Sequence, residues 1–324
     1  MDLSIIIPYH NEGLNFITTT INSIKDTIDI DSYEIIVVDD FSDTPLQQID
    51  GVNVVRHYKN LGVGVAFDTG VEIAKSENLF LMGSDIRFSK NKWASQIIKE
   101  IEEYPKSFTC TSCVAISASN MDIEERRNVN VVNGATILMF HDKKSNPLQT
   151  ETFRGIIEAQ WLKHLKNRDV DSYEIPCILG AAYGVKKSWY EYVDGWACHK
   201  IWGTLEPYIS LKSWLFGGSC RTAPRVETAH IFKPSGTHGT KQEFLIYNKL
   251  MVATLLLDDY NRLISFIGTN SIVERGKEIY LNNLDLIMKK REEYKGKTVY
   301  NYLDLFKRFK IDYRPEYKSD YKIV

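Results

Sequence analysis

Four short runs set the architecture of this chain: LSIIIPY (3–9), YEIIVVDD (33–40), VNVVRHY (52–58) and NLFLMGSD (78–85). The first, second and fourth are nearly continuous in apolar residues. A strand solvated on one face alternates apolar with polar side chains, whereas an unbroken apolar run needs cover on both faces, as in parallel sheets flanked by helices. Helical spacing fills two of the gaps. Residues 11–28 follow Asn11 as an N-cap, and residues 63–75 carry apolar positions at helical intervals up to Lys75. The order strand, helix, strand, strand, helix, strand predicts an α/β fold with a mainly parallel, doubly wound sheet. Ligands of such sheets collect at the carboxyl ends of the strands. His10, Asn11 and Glu12 follow the first run, Asp39 and Asp40 close the second, and Ser84 and Asp85 close the fourth.

Beyond residue 100 the pattern is less regular. FTCTSCVAIS reads as a strand; its Cys110 and Cys113 have no second such pair to complete a zinc site, so they read as structural. VNVVNGATILMF (129–140) predicts a further strand and His141 to Asn146 a loop. Residues 207–216 predict a short amphipathic helix with Pro207 at its first position and Gly217-Gly218 at its end. From Gln242 to about Lys290 the pattern is helical, which divides the chain into residues 1–240 and a helical extension, 241–324.

Composition excludes several classes. With 40 basic and 42 acidic residues the net charge is −2, so no global field recruits nucleic acid or an anionic membrane. No basic region precedes the first apolar run, and that run, like Leu250 to Leu257, is too short to be a secretion signal or a membrane span. Five cysteines, an odd number, predict reduced thiols in a cytoplasmic setting.

The ordered series SIIIPYHNE, EIIVVDDFSD, NLGVGVAFDTGVEIAKSENLFLMGSDIRF, ILGAAYGVKKSWYEYVDGW and IWGTLEPYISLKSWLFGG resembles a family 2 glycosyltransferase with the GT-A fold. The stretch from Ile178 through ETAHIFK also resembles the polypeptide N-acetylgalactosaminyltransferases, which share that fold. The resemblance covers about residues 1–235 and implies that 1–240 is a GT-A, Rossmann-like catalytic domain acting on a nucleotide-sugar donor, with UDP as the expected nucleotide.

It also implies roles for single residues. A D-x-D or D-x-H metal motif falls on positions 83–85, so Asp85 occupies a metal-ligand position while Gly83 replaces the first carboxylate, and His230 of HIFK matches a further ligand. Together they would hold a divalent cation, Mn2+ or Mg2+, against the diphosphate, whose developing charge a cation neutralises. Pro8 and His10 would line the base, with Asp39, Asp40 and Ser84 completing the nucleotide site. Trp202 would flank the donor sugar. Asp68 stands where many relatives have asparagine or arginine and would lie near donor or acceptor. Aligning IWG and the closing tryptophan and glycines puts Glu206 on the general-base position of inverting members, whereas the N-acetylgalactosaminyltransferases, which retain configuration, have asparagine there. Pro207 suits a first helical turn, whose positive end favours a carboxylate at Glu206.

The acceptor is not in these motifs. Glycan, lipid-linked glycan, protein side chain and hydroxymethylated DNA base stay open, as do retaining transfer and a low-turnover sugar-nucleotide binding module. A nucleotidyltransferase would show a Gly-rich, basic N-terminal loop, which PYHNEGLN lacks. The segment from Asp285 to Val324, with 11 basic and 7 acidic residues and six tyrosines, suits either a polyanion contact or a solvated helical face. KPSGTHGTKQ (233–242) has the composition of a lid over the donor.

Overall fold

A computed structural model describes residues 1–88, 92–117, 132–139, 156–163, 170–180, 182–232, 241–258, 260–267, 269–311 and 313. The predicted lid (233–242) and the loop from 141 to 146 lie wholly or mostly outside them, as does the end of the basic segment.

The four founding strands are β1 (Leu3–Tyr9), β2 (Tyr33–Asp39), β3 (Asn53–Arg56) and β4 (Asn78–Met82), with α1 (Leu14–Thr27) and α2 (Val63–Ile73) between them. They lie side by side in the order β3-β2-β1-β4, all parallel, with Ile5 of β1 opposite Ile35 of β2 and Phe80 of β4. The unbroken apolar runs resolve into two faces. Leu3, Ile5, Ile7, Ile35, Val37, Phe80 and Met82 pack on one side with α1 and with α3 (Trp93–Glu103). Ile6, Ile36, Val38, Leu79 and Leu81 pack on the other with α2. Their contact with α2 is close enough to require glycine: a Cβ on Gly70 would stand 2.3 Å from Ile6 Cγ2.

The sheet continues through strands contributed later in the chain: β5 (Ile86–Phe88), β6 (Ser107–Ser117), β7 (Val132–Leu138), β8 (Glu158–Lys163), β9 (Tyr173–Glu174), β10 (Ala182–Lys186) and β11 (Ser219–Phe232). β10 inserts antiparallel between β4 and β6, and β11 runs parallel to β6 and antiparallel to β5. Cys110 and Cys113 sit on β6, fully buried, where burial pushes their thiols up to about 11 and about 12.

Three details differ from the sequence expectation. Asn11 is not the cap of α1. That position belongs to Gly13 at φ 91, while Asn11 accepts a bond from the Asp43 amide (2.8 Å) and its own amide donates to Ser42 Oγ (3.0 Å), tying two loops together. After α4 (Lys187–Tyr192), helix α5 runs Leu205–Leu215, so Pro207 is its third residue, not its first. Nor is α5 amphipathic. Every residue but Glu206 is buried, because the helix lies between the sheet and the C-terminal helices. Its end follows the expected glycines: Gly217, at φ 92, donates to Trp214 O and Gly218 to Ser213 O, which satisfies two terminal carbonyls.

The uninterrupted helical pattern after 242 is divided into α6 (Gln242–Val252), a π-helical turn (Ala253–Leu257), α7 (Tyr260–Ile267), α8 (Ser271–Leu281), α9 (Leu284–Lys295) and α10 (Tyr302–Arg308). Asp258 in the left-handed region stops the π turn, and the Asn270 side chain caps α8 through the amides of Ile272 and Val273. These helices share one core with the sheet: Ile246, Tyr247 and Leu250 pack with Trp196, Tyr208 and the α2 face. Among the described residues no helix is long and apolar enough to cross a membrane.

Candidate active site

The carboxyl ends of β1 and β4, the segment before α5, the end of β11 and one face of α6 enclose a cleft of about 640 Å³. Its lining includes Pro8, His10, Asp40, Ser84, Asp85, Trp202, Glu206 and His230, eight of the ten residues singled out from the sequence. Asp39 and Asp68 are the two that do not line it.

Strand pairing brings the most distant of these together. His230 is opposite Ile86 in the β11–β5 ladder, and the Ile231 amide donates to Asp85 O at 3.1 Å. His230 Nε2 thereby stands 3.4 Å from Asp85 Oδ1, with side-chain exposures of 23% and 13%. Arg87 lies beside them, 3% exposed; burial lowers its pKa to about 10 against the opposing charge of Asp85, so it stays cationic at neutral pH.

The oxygen and imidazole nitrogen of this pair suit a hard or borderline divalent cation. An ion with bonds of ~2.1 Å to both would have its two ligand atoms roughly 3.0 to 3.4 Å apart, the separation of neighbouring corners of an octahedron or tetrahedron. Among the described residues no group of three or more His, Cys, Asp or Glu side chains is arranged to hold a metal. Two protein ligands therefore fit an ion that takes its remaining ligands from substrate oxygens and water.

Glu206 is the second residue of α5 and only partly exposed. Tyr183, on β10, donates its hydroxyl to Glu206 Oε1 at 3.0 Å. Burial pushes the Glu206 carboxyl above the ordinary range, outweighing its own backbone amide, the Tyr183 hydroxyl and the charge of His230. The helix terminus expected to keep it acidic is thus the weaker influence.

At the opposite end, His10 Nδ1 donates to Asp40 O (2.8 Å), which leaves Nε2 to accept from Asn60 Nδ2 (3.0 Å). The Asp40 carboxylate accepts from the amides of Leu61 (2.8 Å) and Gly62 (2.6 Å) and contacts His57 Nδ1 (2.8 Å). It fixes the loop that presents Asn60, whose Oδ1 is buried without a hydrogen-bond partner among the described residues. Ser84 is held through its carbonyl by Thr20 Oγ1 at 2.6 Å.

Asp39 is fully buried behind this end. Its carboxylate accepts from the amides of Ser42 (2.8 Å) and Leu46 (3.0 Å) and pairs with Arg56. Burial would raise its pKa, but these hydrogen bonds together hold it below the ordinary range. The stability it supplies is present above the unfolded value near 3.9 and is lost as the pH falls through the lower folded value. Asp39→Ala is expected to destabilise the protein by about 2 to 3 kcal/mol in chemical denaturation at neutral pH, with the gap to wild type narrowing in acid.

Asp68, expected beside donor or acceptor, turns away from the cleft. Its Oδ1 accepts from the Tyr190 hydroxyl (2.5 Å) and the Trp196 amide (3.1 Å), which anchors α2 to the segment leading towards Trp202. Sequence reasoning missed Asn60, Tyr183, Glu158 and the α6 residues Gln242, Leu245 and Lys249, all of which line the cleft. Asn60 and Tyr183 fall inside the motif stretches, but nothing in a strand pattern says which of its polar residues faces a ligand.

Comparison with known proteins agrees with this fold. The model of the family Glycosyl transferase family 2 matches residues 4–191. Polypeptide N-acetylgalactosaminyltransferase 14 of Homo sapiens is 26% identical over 273 residues, 80% of this chain and 46% of the relative. Polypeptide N-acetylgalactosaminyltransferase 8 of Drosophila melanogaster is 24% identical over 277 residues, 80% and 44% of the two chains. This chain spans about half the length of the curated relatives it matches. A crystal structure of GalNAc-T7 with UDP, GalNAc and Mn2+ superposes with a TM-score of 0.66 at 17% identity, covering 95% of this chain and 56% of that one, which shows the GT-A fold. Since the family model spans more than half of the 324 residues, the chain belongs to glycosyl transferase family 2.

Proposed function

We propose that this chain transfers a sugar from a UDP-linked donor to an acceptor hydroxyl, with Asp85 and His230 holding a divalent cation and Glu206 acting as general base. The observation that carries this reading is the convergence of Asp85, His230 and Glu206, from three separate elements, on one cleft whose other end is the His10–Asp40–Asn60 cluster. The uridine would lie against Pro8 and His10, with the unpaired Asn60 Oδ1 able to accept from it and Asp40 and Ser84 shaping the pocket. Asp39 would act by holding the loop.

A cation bound by Asp85 and His230 would neutralise charge on the departing diphosphate. The residues of the chain do the rest. Trp202, 48% exposed in the cleft, offers a flat face to the sugar. Glu206 takes the acceptor proton, and its raised pKa makes it a stronger base than an ordinary carboxylate. In-line attack assisted by such a base inverts the anomeric carbon, and we prefer inversion to retention for this reason. Residues 1–240 form the catalytic unit and the helical extension from 241 adds α6 to the cleft wall. The relatives' names support a polypeptide hydroxyl as acceptor. The five unpaired cysteines support a reducing, cytoplasm-like compartment.

Calorimetric titration of UDP, UDP-N-acetylgalactosamine, UDP-N-acetylglucosamine and GDP-mannose, each with Mn2+, tests the donor class. At least one UDP-sugar is expected to bind and to release UDP slowly. Preference for the guanine nucleotide, or binding of none, would overturn the proposal.

A further inference from the structure

Residues 200–204 carry Trp202 into the cleft and lead into the first turn of α5, where Glu206 sits. Their backbone is strained. Ile201 and Thr204, both β-branched, have φ of 55° and 61°, in the left-handed region that such residues rarely occupy. Conformations of this kind cost free energy and persist only where the surroundings over-determine them. Here they do. Asn248 of α6 is fully buried, and its side-chain amide makes four bonds to this one segment. Its Oδ1 accepts from the Lys200 amide (3.0 Å), and its Nδ2 donates to the carbonyls of Lys200 (2.8 Å), Trp202 (3.1 Å) and Gly203 (3.2 Å). On the other side Ile201 O accepts from the Val63 amide (3.0 Å). The approach there is so close that a Cβ on Gly62 would lie 2.4 Å from the Ile201 backbone.

We infer that Asn248 is a positioning residue for the sugar end of the cleft, holding residues 200–204 so that Trp202 and Glu206 face the same bound sugar. The inference rests on the proposed UDP-sugar reading. It locates the effect: Asn248 bonds directly to residues 200–204, whereas the Asn60 loop is held separately by the Asp40 carboxylate through the Leu61 and Gly62 amides, so turnover is expected to suffer far more than UDP affinity. Besides the α6 residues that line the cleft, the C-terminal helices thereby contribute to the reaction through a side chain that contacts no substrate.

The test compares Asn248→Ala and Asn248→Asp with wild type. The aspartate keeps shape and the Lys200 amide bond but sets a carboxylate against three carbonyls, and it stands in if the alanine variant fails to fold. The affinity for UDP with Mn2+ is expected to stay within about 2-fold, while UDP release from UDP-N-acetylgalactosamine falls on the order of 10- to 100-fold in kcat, the size of effect that misplacement of reacting groups produces. Amide hydrogen exchange, measured without any ligand, is expected to rise at Lys200 and Val63 in Asn248→Ala and at Val63 in Asn248→Asp. Near-normal kcat, or equal losses in UDP affinity and kcat, would overturn the positioning role. Unchanged exchange at both amides would overturn it whatever donor the protein uses. Should wild type bind no UDP-sugar while exchange still rises in the variants, the donor reading fails and the hold of Asn248 on the segment stands.

Discussion

Replacing Glu206 by glutamine is expected to lower the rate of sugar transfer by about 10²- to 10⁴-fold, the usual contribution of a well-placed general base, with UDP affinity nearly unchanged. The amide keeps the side chain's size and still accepts from Tyr183, but it cannot take a proton. The pH profile makes the assignment more specific. A base works only when ionised, so kcat in wild type should fall on the acid side through the Glu206 pKa. Burial has raised that value, which places the fall above the ordinary glutamate value of about 4.3. Tyr183→Phe removes a hydrogen bond to the charged form and should move the acid limb higher still. The limb should vanish in Glu206→Gln. The product's anomeric coupling in NMR should show a configuration opposite to the donor's. Retention, or a glutamine variant with near-normal turnover, would return Glu206 to a structural role.

The second large effect concerns the cation. Asp85→Ala is expected to weaken UDP-sugar binding by about 100-fold or more when Mn2+ is present, because losing one of two protein ligands removes most of the affinity on which diphosphate neutralisation depends. His230→Ala should act in the same direction. With the metal chelated, wild type and both variants should bind the donor equally weakly. Equal affinities in the presence of Mn2+ would remove the metal from this pair.

How far these residues could be found without coordinates depended on the range of the interaction that positions them. Leu3–Tyr9 and Tyr33–Asp39 were legible because burial on both faces writes itself into local composition, and His10, Asp40 and Asp85 followed because they sit at strand ends. The failures share a different cause. Asn11 offered a good cap by residue type, yet its side chain was recruited by a loop about thirty positions away, at Asp43. Asp68 fell within a motif stretch, where many relatives have asparagine or arginine, but serves Tyr190 and Trp196, partners chosen by tertiary packing. Helix α5, buried at every residue but Glu206, looked amphipathic because nothing local announces that a second layer of helices will cover its outer side. Asn248 was invisible for the same reason: one of several polar residues in a helix reveals its task only when the strained segment it holds is seen beside it.

The pairing of Asp85 with His230 was legible only through family resemblance. In the structure it has a local cause, the β11–β5 register that seats His230 opposite Ile86. That register underlies the whole account, and anomalous X-ray scattering from crystals grown with UDP and Mn2+ tests it most directly. A manganese peak is expected within bonding distance of both Asp85 Oδ1 and His230 Nε2, touching the diphosphate, with the uracil against His10. A manganese peak elsewhere in the cleft, or UDP bound without one, would contradict it.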